Sequence, residues 1–447
     1  MDSVTFSGYQ PTEPEDLSVI DVTLGVFFDG TLNNKNNSEE RKNNTQAFQD
    51  YGKAKKEDTS YYNDWSNVAR LWEGYDAATR IYIEGIGTND GEKDRTLGFA
   101  FGTAETGIRA KVRKGCEEIV KKIPKGKRVS FLTLDVYGFS RGAAAARNFV
   151  YEIGKNAYKA TTESVSAQGT TISANYDSDG MPTSETELPA NGHLGLVLKR
   201  EGVEVMTIRV RFLGVFDTVS SYSKYFSIRP NFDDVEELSL NKLSKARNVV
   251  HFVAENEHRQ NFSLTHTRVG QECSFPGVHS DIGGSYNDGV EIIKEIETSW
   301  TSKFNLDPTI KWLTEEGWYN DEQLEITGGN LYWALQGTRN LSKKYSYIPL
   351  HFMAEKAIEK ESPFNLNFFE NQKYKITDDA FLGRIKTRLR KYVFENGSPY
   401  VYKKSPPQDE IEEQNDLKKL RNEFLHWSAR REGIGMDPNS NRERVTY

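Results

Sequence analysis

A serine framed by glycines, Gly138-Phe139-Ser140-Arg141-Gly142, lies between an apolar β-type run (residues 129–137) and the alanine-rich stretch Ala143-Ala144-Ala145-Ala146. That is the sequence form of a nucleophile elbow, in which the serine occupies a strained turn and its hydroxyl points out of the sheet edge. Glycines two residues to either side let the flanking backbones pass without a Cβ clash. The helix that follows aims free N–H groups at the same spot, which makes the Arg141 amide a candidate donor to a developing oxyanion. The five-residue string is weak alone. The strand before it and the helix after it supply the context the chemistry needs. Asp135, inside that strand, reads as a structural hydrogen-bonding residue.

A nucleophilic serine needs a base to take its proton and a carboxylate to orient the base; on α/β-hydrolase topology these follow in the chain order Ser, Asp/Glu, His. Downstream of Ser140, the run Leu213-Gly214-Val215-Phe216 leads directly into Asp217-Thr218-Val219, which puts a carboxylate at a strand tip. Asp217 is the candidate acid, its bland alternative being a turn or cap residue. Six histidines follow Asp217. His279 stands in Phe275-Pro276-Gly277-Val278-His279-Ser280-Asp281-Ile282-Gly283-Gly284, an irregular loop directly after a short apolar strand, and such backbone points to function. His251 lies inside an apolar strand, His258 and His266 in a charged connection, and His426 near the chain end is the reserve candidate. His279 is the candidate base.

The early run at residues 20–28 ends in Phe28-Asp29-Gly30-Thr31, and a loop after an early strand supplies the second oxyanion donor in such hydrolases. The candidates are the N–H groups of Gly30 or Thr31. Asp29 either braces that loop or, with Asp281, holds a cation through oxygen ligands. Bracing is the favoured reading.

These pieces need a sheet to hold them. Strand candidates at residues 20–28, 80–84, 129–137, 205–216, 248–254 and 271–275 alternate with helical patterns at 64–73, 97–123 and 143–153. Such alternation predicts a mainly parallel sheet with helices on both faces, whose active site gathers at the carboxyl ends of the strands. Residues 158–202 change to Thr, Ser, Gly, Asn and Glu and read as a polar insertion, mobile or lid-like. Residues 18–157 and 203–290 then form the catalytic core. Residues 291–447, rich in aromatic and charged side chains, read as a helical cap with a charged helix at 405–432 and a polar tail. Core packing is the reading for most of those rings.

With 447 residues and a formal net charge of -7, the chain suits an acidic globular enzyme rather than a nucleic-acid binder, which needs a clustered Lys/Arg excess. No apolar run reaches bilayer-spanning length. Cys116 and Cys273 match no metal pattern and read as free thiols, and the chemistry requires neither metal nor cofactor. Residues 1–17 lack the basic start and apolar centre of a signal peptide, so the expectation is synthesis in the cytoplasm.

Taken together, Phe27-Phe28-Asp29-Gly30-Thr31-Leu32-Asn33, Gly138-Phe139-Ser140-Arg141-Gly142-Ala143, Gly214-Val215-Phe216-Asp217-Thr218-Val219 and the loop 275–284 resemble the α/β-hydrolase domain of type VI secretion phospholipase effectors over residues 19–286. The segment Ile348-Pro349-Leu350-His351-Phe352-Met353 is similar to a further family stretch. The resemblance implies Ser140 as nucleophile, Asp217 as acid and His279 as base, acting on glycerophospholipid at a membrane surface. It also implies a spike protein of the secretion apparatus and an immunity protein as partners, with delivery into a target cell's periplasm. Two other readings stay open: a serine esterase or thioesterase acting on a soluble acyl substrate, and a catalytically idle hydrolase fold used as a binding module.

Overall fold

The computed structural model describes residues 18–53, 59–95, 107–167, 170–220, 232–432 and 436–447. Six strands make one sheet: β1 (Val19–Phe28), β2 (Arg80–Ile83), β3 (Arg128–Phe139), β4 (Val205–Phe216), β5 (Val249–Ala254) and β6 (Gln271–Phe275). Their order is β6-β5-β4-β3-β1-β2, and every neighbouring pair is parallel. The chain moves outward from β1 to β2, returns to β3 on the other side of β1, and continues away through β4. The carboxyl end of β3 therefore lies at the centre, between those of β1 and β4, where an open parallel sheet forms its crevice.

Strand alternation sorts the sheet into two chemically different faces. Val26, Phe28, Leu134, Val136, Leu213 and Val215 point into an aliphatic cluster with the helices α2 (Ile108–Lys122) and α3 (Arg141–Glu152). Phe27, Tyr137, Phe139, Phe216, Phe252 and Phe275 point the other way, into an aromatic cluster completed by the C-terminal third of the chain. A register shift between Leu134 and Asp135 opposite β4 keeps this sorting in step. Asp135 accepts from Tyr75 (2.8 Å) and Arg211 (2.6 Å), a structural role.

The four alanines of α3 are fully buried, and their small side chains let the helix lie close on the sheet. The glycines of the elbow are required by that approach. A Cβ on Gly142 would stand 2.2 Å from the Asp29 carbonyl oxygen and 2.4 Å from that of Phe28, and a Cβ on Gly138 2.5 Å from the Gly142 oxygen. Those neighbours are backbone and cannot swing aside. Gly142→Ala is expected to destabilise the chain by about 3 kcal/mol, seen as a lower thermal midpoint; an unchanged midpoint would mean that the elbow is looser than its geometry.

Several expected elements differ in extent. The helix expected at 64–73 is α1 (Asn67–Gly74), because Ser66 caps it by accepting from the Ala69 N–H. Of the helix expected at 97–123, α2 covers Ile108–Lys122, while residues 97–106 lie outside the described residues. Residues 158–202 contain a hairpin of Thr161–Ala167 with Thr170–Tyr176 and a helix, α4 (Gly192–Arg200), whose Leu194 and Leu198 join the aliphatic cluster. The turn beyond the hairpin is tied down by Arg113 to Asp177 and by Lys155 to Asp179.

The C-terminal third is more than helical. It opens with an antiparallel sheet of β7 (Gly289–Ser299), β8 (Leu324–Gly329) and β9 (Tyr332–Leu341). Helices α6 (Tyr347–Ile358), α7 (Ala380–Phe394) and α8 (Ile411–Glu423) follow, α8 being shorter than the expected 405–432. The tail is not loose. Leu264 donates to Val445, Tyr447 donates back to Leu264 (both 2.9 Å), and His266 donates to Tyr447 (3.0 Å). Among the described residues no helix is long and apolar enough to cross a membrane.

Candidate active site

Ser140 stands between β3 and α3 with φ 58° and ψ −128°, a conformation L-residues rarely adopt and one that costs about 1–3 kcal/mol. The neighbours that hold it there are the close-packed backbones described above. The Ser140 N–H donates to the Phe216 carbonyl at 3.0 Å, and its own carbonyl accepts from Val219 at 3.3 Å. Ser140 is thereby locked to the end of β4, immediately beside Asp217.

Asp217 also has positive φ, 42°, and is fully buried. Its Oδ2 accepts from His279 Nδ1, and its Oδ1 accepts from the Ala254 N–H at 2.8 Å. Arg444 from the chain end grips both oxygens, at 2.6 and 2.8 Å. Burial alone would push the Asp217 carboxyl up. The Arg444 guanidinium and the His279 hydrogen bond outweigh it and hold the carboxyl well below the usual carboxylate range.

His279 starts the short helix α5 (His279–Gly283) after β6, and its ring packs between those of Phe139 (4.6 Å) and Phe262 (5.0 Å). Contact with Phe139 puts it beside the residue preceding Ser140. Because Nδ1 donates to a carboxylate, Nε2 is the ring nitrogen left to accept a proton. Burial lowers the imidazole pKa below its ordinary value, only partly offset by Asp217, so the ring is a neutral base near neutral pH. Its backbone N–H donates to Glu257 at 3.2 Å. Glu257 is itself clamped by Arg259 (2.8 and 2.9 Å) and Ser428 (3.0 Å).

On the other side of Ser140, Asp29 ends β1. It accepts from the Gly30 N–H (2.7 Å), Tyr82 (2.6 Å) and the Ser66 hydroxyl, and burial pushes its carboxyl up to about 6 despite those bonds. The Gly30 N–H is thus committed to Asp29, which leaves Thr31 and Arg141 as the unengaged oxyanion candidates. The Arg141 amide, at the first position of α3, has no intrahelical partner. The Thr31 hydroxyl oxygen is buried with no partner among the described residues.

Asp281 accepts from Val278 N–H (3.0 Å) and from His426 Nδ1 (2.7 Å), over which Tyr286 stacks. Each carboxylate is filled by protein donors, the arrangement of a brace. No group of three or more His, Cys, Asp or Glu placed to hold a metal occurs among the described residues. His251 accepts from Thr218 N–H (3.1 Å) and donates to Glu272 (2.8 Å), a satisfied core histidine that also anchors the residue after Asp217. His351 is buried in α6, donating to the Tyr374 carbonyl at 2.9 Å. Cys116 and Cys273 are free and buried.

Glu257 and Arg444 join the site without any motif of their own in the sequence. Glu257 lies three residues beyond the end of β5, and the strand-end rule that selects Asp217 would pick Glu255, the first polar residue there, instead. Arg444 carries no local signal, because its role exists only once the tail has docked.

A parallel sheet with a strained serine at its central strand end and an Asp–His pair beside it defines an α/β-hydrolase-like protein. A family model described as "T6SS, Phospholipase effector Tle1-like, catalytic domain" matches residues 23–316, and the chain belongs to that family. Among solved structures it is similar to the Tle1 effector bound to the VgrG spike from the Type 6 secretion system. That likeness has a TM-score of 0.57 and 17% identity, and it covers 100% of this chain and 98% of that one, a likeness of fold. An uncharacterized protein from Pseudomonas aeruginosa matches with a TM-score of 0.40 and 17% identity over 91% of this chain and 53% of that one. No curated protein matches the sequence.

Proposed function

We propose that this chain is a serine carboxyl-ester hydrolase of the phospholipase A type, delivered as a type VI secretion effector. The observation that carries the reading is the His279–Asp217 pair beside a serine held at positive φ. Ser140 Oγ attacks the acyl carbonyl as His279 Nε2 takes its proton, and Asp217 stabilises the imidazolium that forms. The tetrahedral oxygen is held by the Arg141 N–H and by Thr31. His279 then protonates the leaving lysophospholipid oxygen. Water, deprotonated by the same base, releases the fatty acid from the acyl-serine. The VgrG spike bound to the similar Tle1 effector supports a corresponding carrier protein for this chain.

A phosphate-bearing substrate fits the charge beside the nucleophile. No carboxylate among the described residues pairs with the Arg141 guanidinium, and burial alone brings its pKa down to about 10. Phospholipid vesicles, a short water-soluble ester and an acyl thioester, compared by kcat/KM, test the assignment. Preference for the vesicles with release of free fatty acid is expected. Preference for a soluble ester or thioester contradicts the lipid substrate, and turnover of none of them supports an idle fold.

Thr31→Val keeps the backbone N–H and removes only the buried hydroxyl. It is expected to lower kcat roughly 10²-fold with little change in KM, the magnitude of a lost oxyanion donor. An unchanged kcat would remove that hydroxyl from the oxyanion site.

A further inference from the structure

Arg444 belongs to the last few residues of the chain, yet its side chain is only 6% exposed and ends on the most buried carboxylate of the site. Four acceptors fix it: both Asp217 oxygens, as described, the Phe262 carbonyl, which accepts from Nε at 2.7 Å, and the Ala254 carbonyl, which accepts at 3.4 Å. Phe262 is also the residue whose ring packs on His279. Pairing of Leu264 with Val445 and Tyr447 carries the tail into this position.

A bidentate guanidinium fixes the plane of a carboxylate as well as its charge. Here it orients Oδ2 toward His279 Nδ1. The charged groups acting on the imidazole are Asp217 from β4 and Glu257 and Arg259 from the segment after β5. Arg444 from the tail acts on both carboxylates, while the His251–Glu272 pair lies behind Asp217 and Asp281, paired with His426, shares α5 with His279. Asp217 and Glu257 thus face Arg259 and Arg444 across the imidazole's carboxylate side. Removing Arg444 takes one positive charge from beside Asp217 and favours the imidazolium.

We propose that Arg444 is a positioning residue of the active site, which fixes Asp217 for its bond to His279 and, by neutralising that carboxylate, extends the enzyme's activity toward acidic pH. The inference rests on the Ser140–His279–Asp217 reading above. The sign follows from the base form being the active one: any change that raises the His279 pKa moves the acid limb of kcat/KM upward.

The test is the pH profile of kcat/KM for the full-length chain on phospholipid vesicles, with wild type, Arg444→Gln, Arg444→Lys and Ser140→Ala. Arg444→Gln removes charge and fork together, so its acid limb is expected to move up by about one pH unit, with a lower plateau kcat. Arg444→Lys retains the charge but not the fork, so its plateau falls while its acid limb stays near that of wild type. An unmoved acid limb in folded Arg444→Gln, or equal shifts in both variants, overturns the proposal. If Arg444→Gln does not fold, Arg444→Lys alone carries the test, and a plateau kcat equal to that of wild type overturns the positioning role. Activity retained by Ser140→Ala would instead bring down the underlying triad reading, which keeps the two failures apart.

Discussion

Ser140→Ala is expected to lower fatty-acid release from phospholipid vesicles by at least about 10⁴-fold, because in the proposed mechanism Ser140 forms the acyl intermediate and its loss leaves only binding and the oxyanion donors. The substitution removes one oxygen from a side chain 5% exposed and keeps a Cβ at the same strained backbone position, so the thermal midpoint should stay where it is. Vesicle assays beside a melting curve check both halves. Residual turnover close to wild type would place the nucleophile elsewhere.

Asp217→Asn is expected to be nearly as severe in activity, about 10⁴-fold in kcat, and worse for stability. An amide turned to accept from Arg444 and Ala254 presents its NH₂ to His279 Nδ1 and forces the proton onto Nε2, the wrong tautomer for a base. The buried Arg444 guanidinium simultaneously loses its carboxylate. Breaking a buried ion pair from one side costs about 3–5 kcal/mol, so a marked fall in the denaturation midpoint should accompany the loss of activity. Wild-type stability with lost activity would mean that Arg444 contributes little to holding the tail. Wild-type activity would mean that Asp217 is not the orienting group.

Strand ends were legible because a buried parallel strand is a continuous apolar run, and the first polar residue after it marks the sheet edge. That signal marks Asp29 and Asp217, and the glycine-framed string marks Ser140; the three stand at the ends of β1, β3 and β4. Pro276 and Gly277 signal irregular backbone around His279, and Gly277 takes a positive φ of 119°. The alternation of aromatic and aliphatic residues within the strands is a further signal in the sequence. It assigns one face to α2 and α3 and the other to the C-terminal third.

The antiparallel sheet at residues 289–341 was hidden because its apolar and charged residues mix without a clean period, with Val290 and Ile292 exposed and the register shifting between Ile293 and Glu297. Partner identity within the site was equally beyond reach. Nothing in Asn441-Arg442-Glu443-Arg444 separates one arginine from the other, although Arg444 closes on Asp217 and Arg442 donates to Thr309. Such long-range pairings depend on packing that no local pattern encodes.

Covalent trapping tests the central claim most directly. Wild-type protein treated with a lipid-like fluorophosphonate and mapped by peptide mass spectrometry should carry one adduct, on Ser140, formed much more slowly when His279 is replaced by alanine. An adduct on another residue, or phospholipid turnover that survives complete modification of Ser140, would contradict the account.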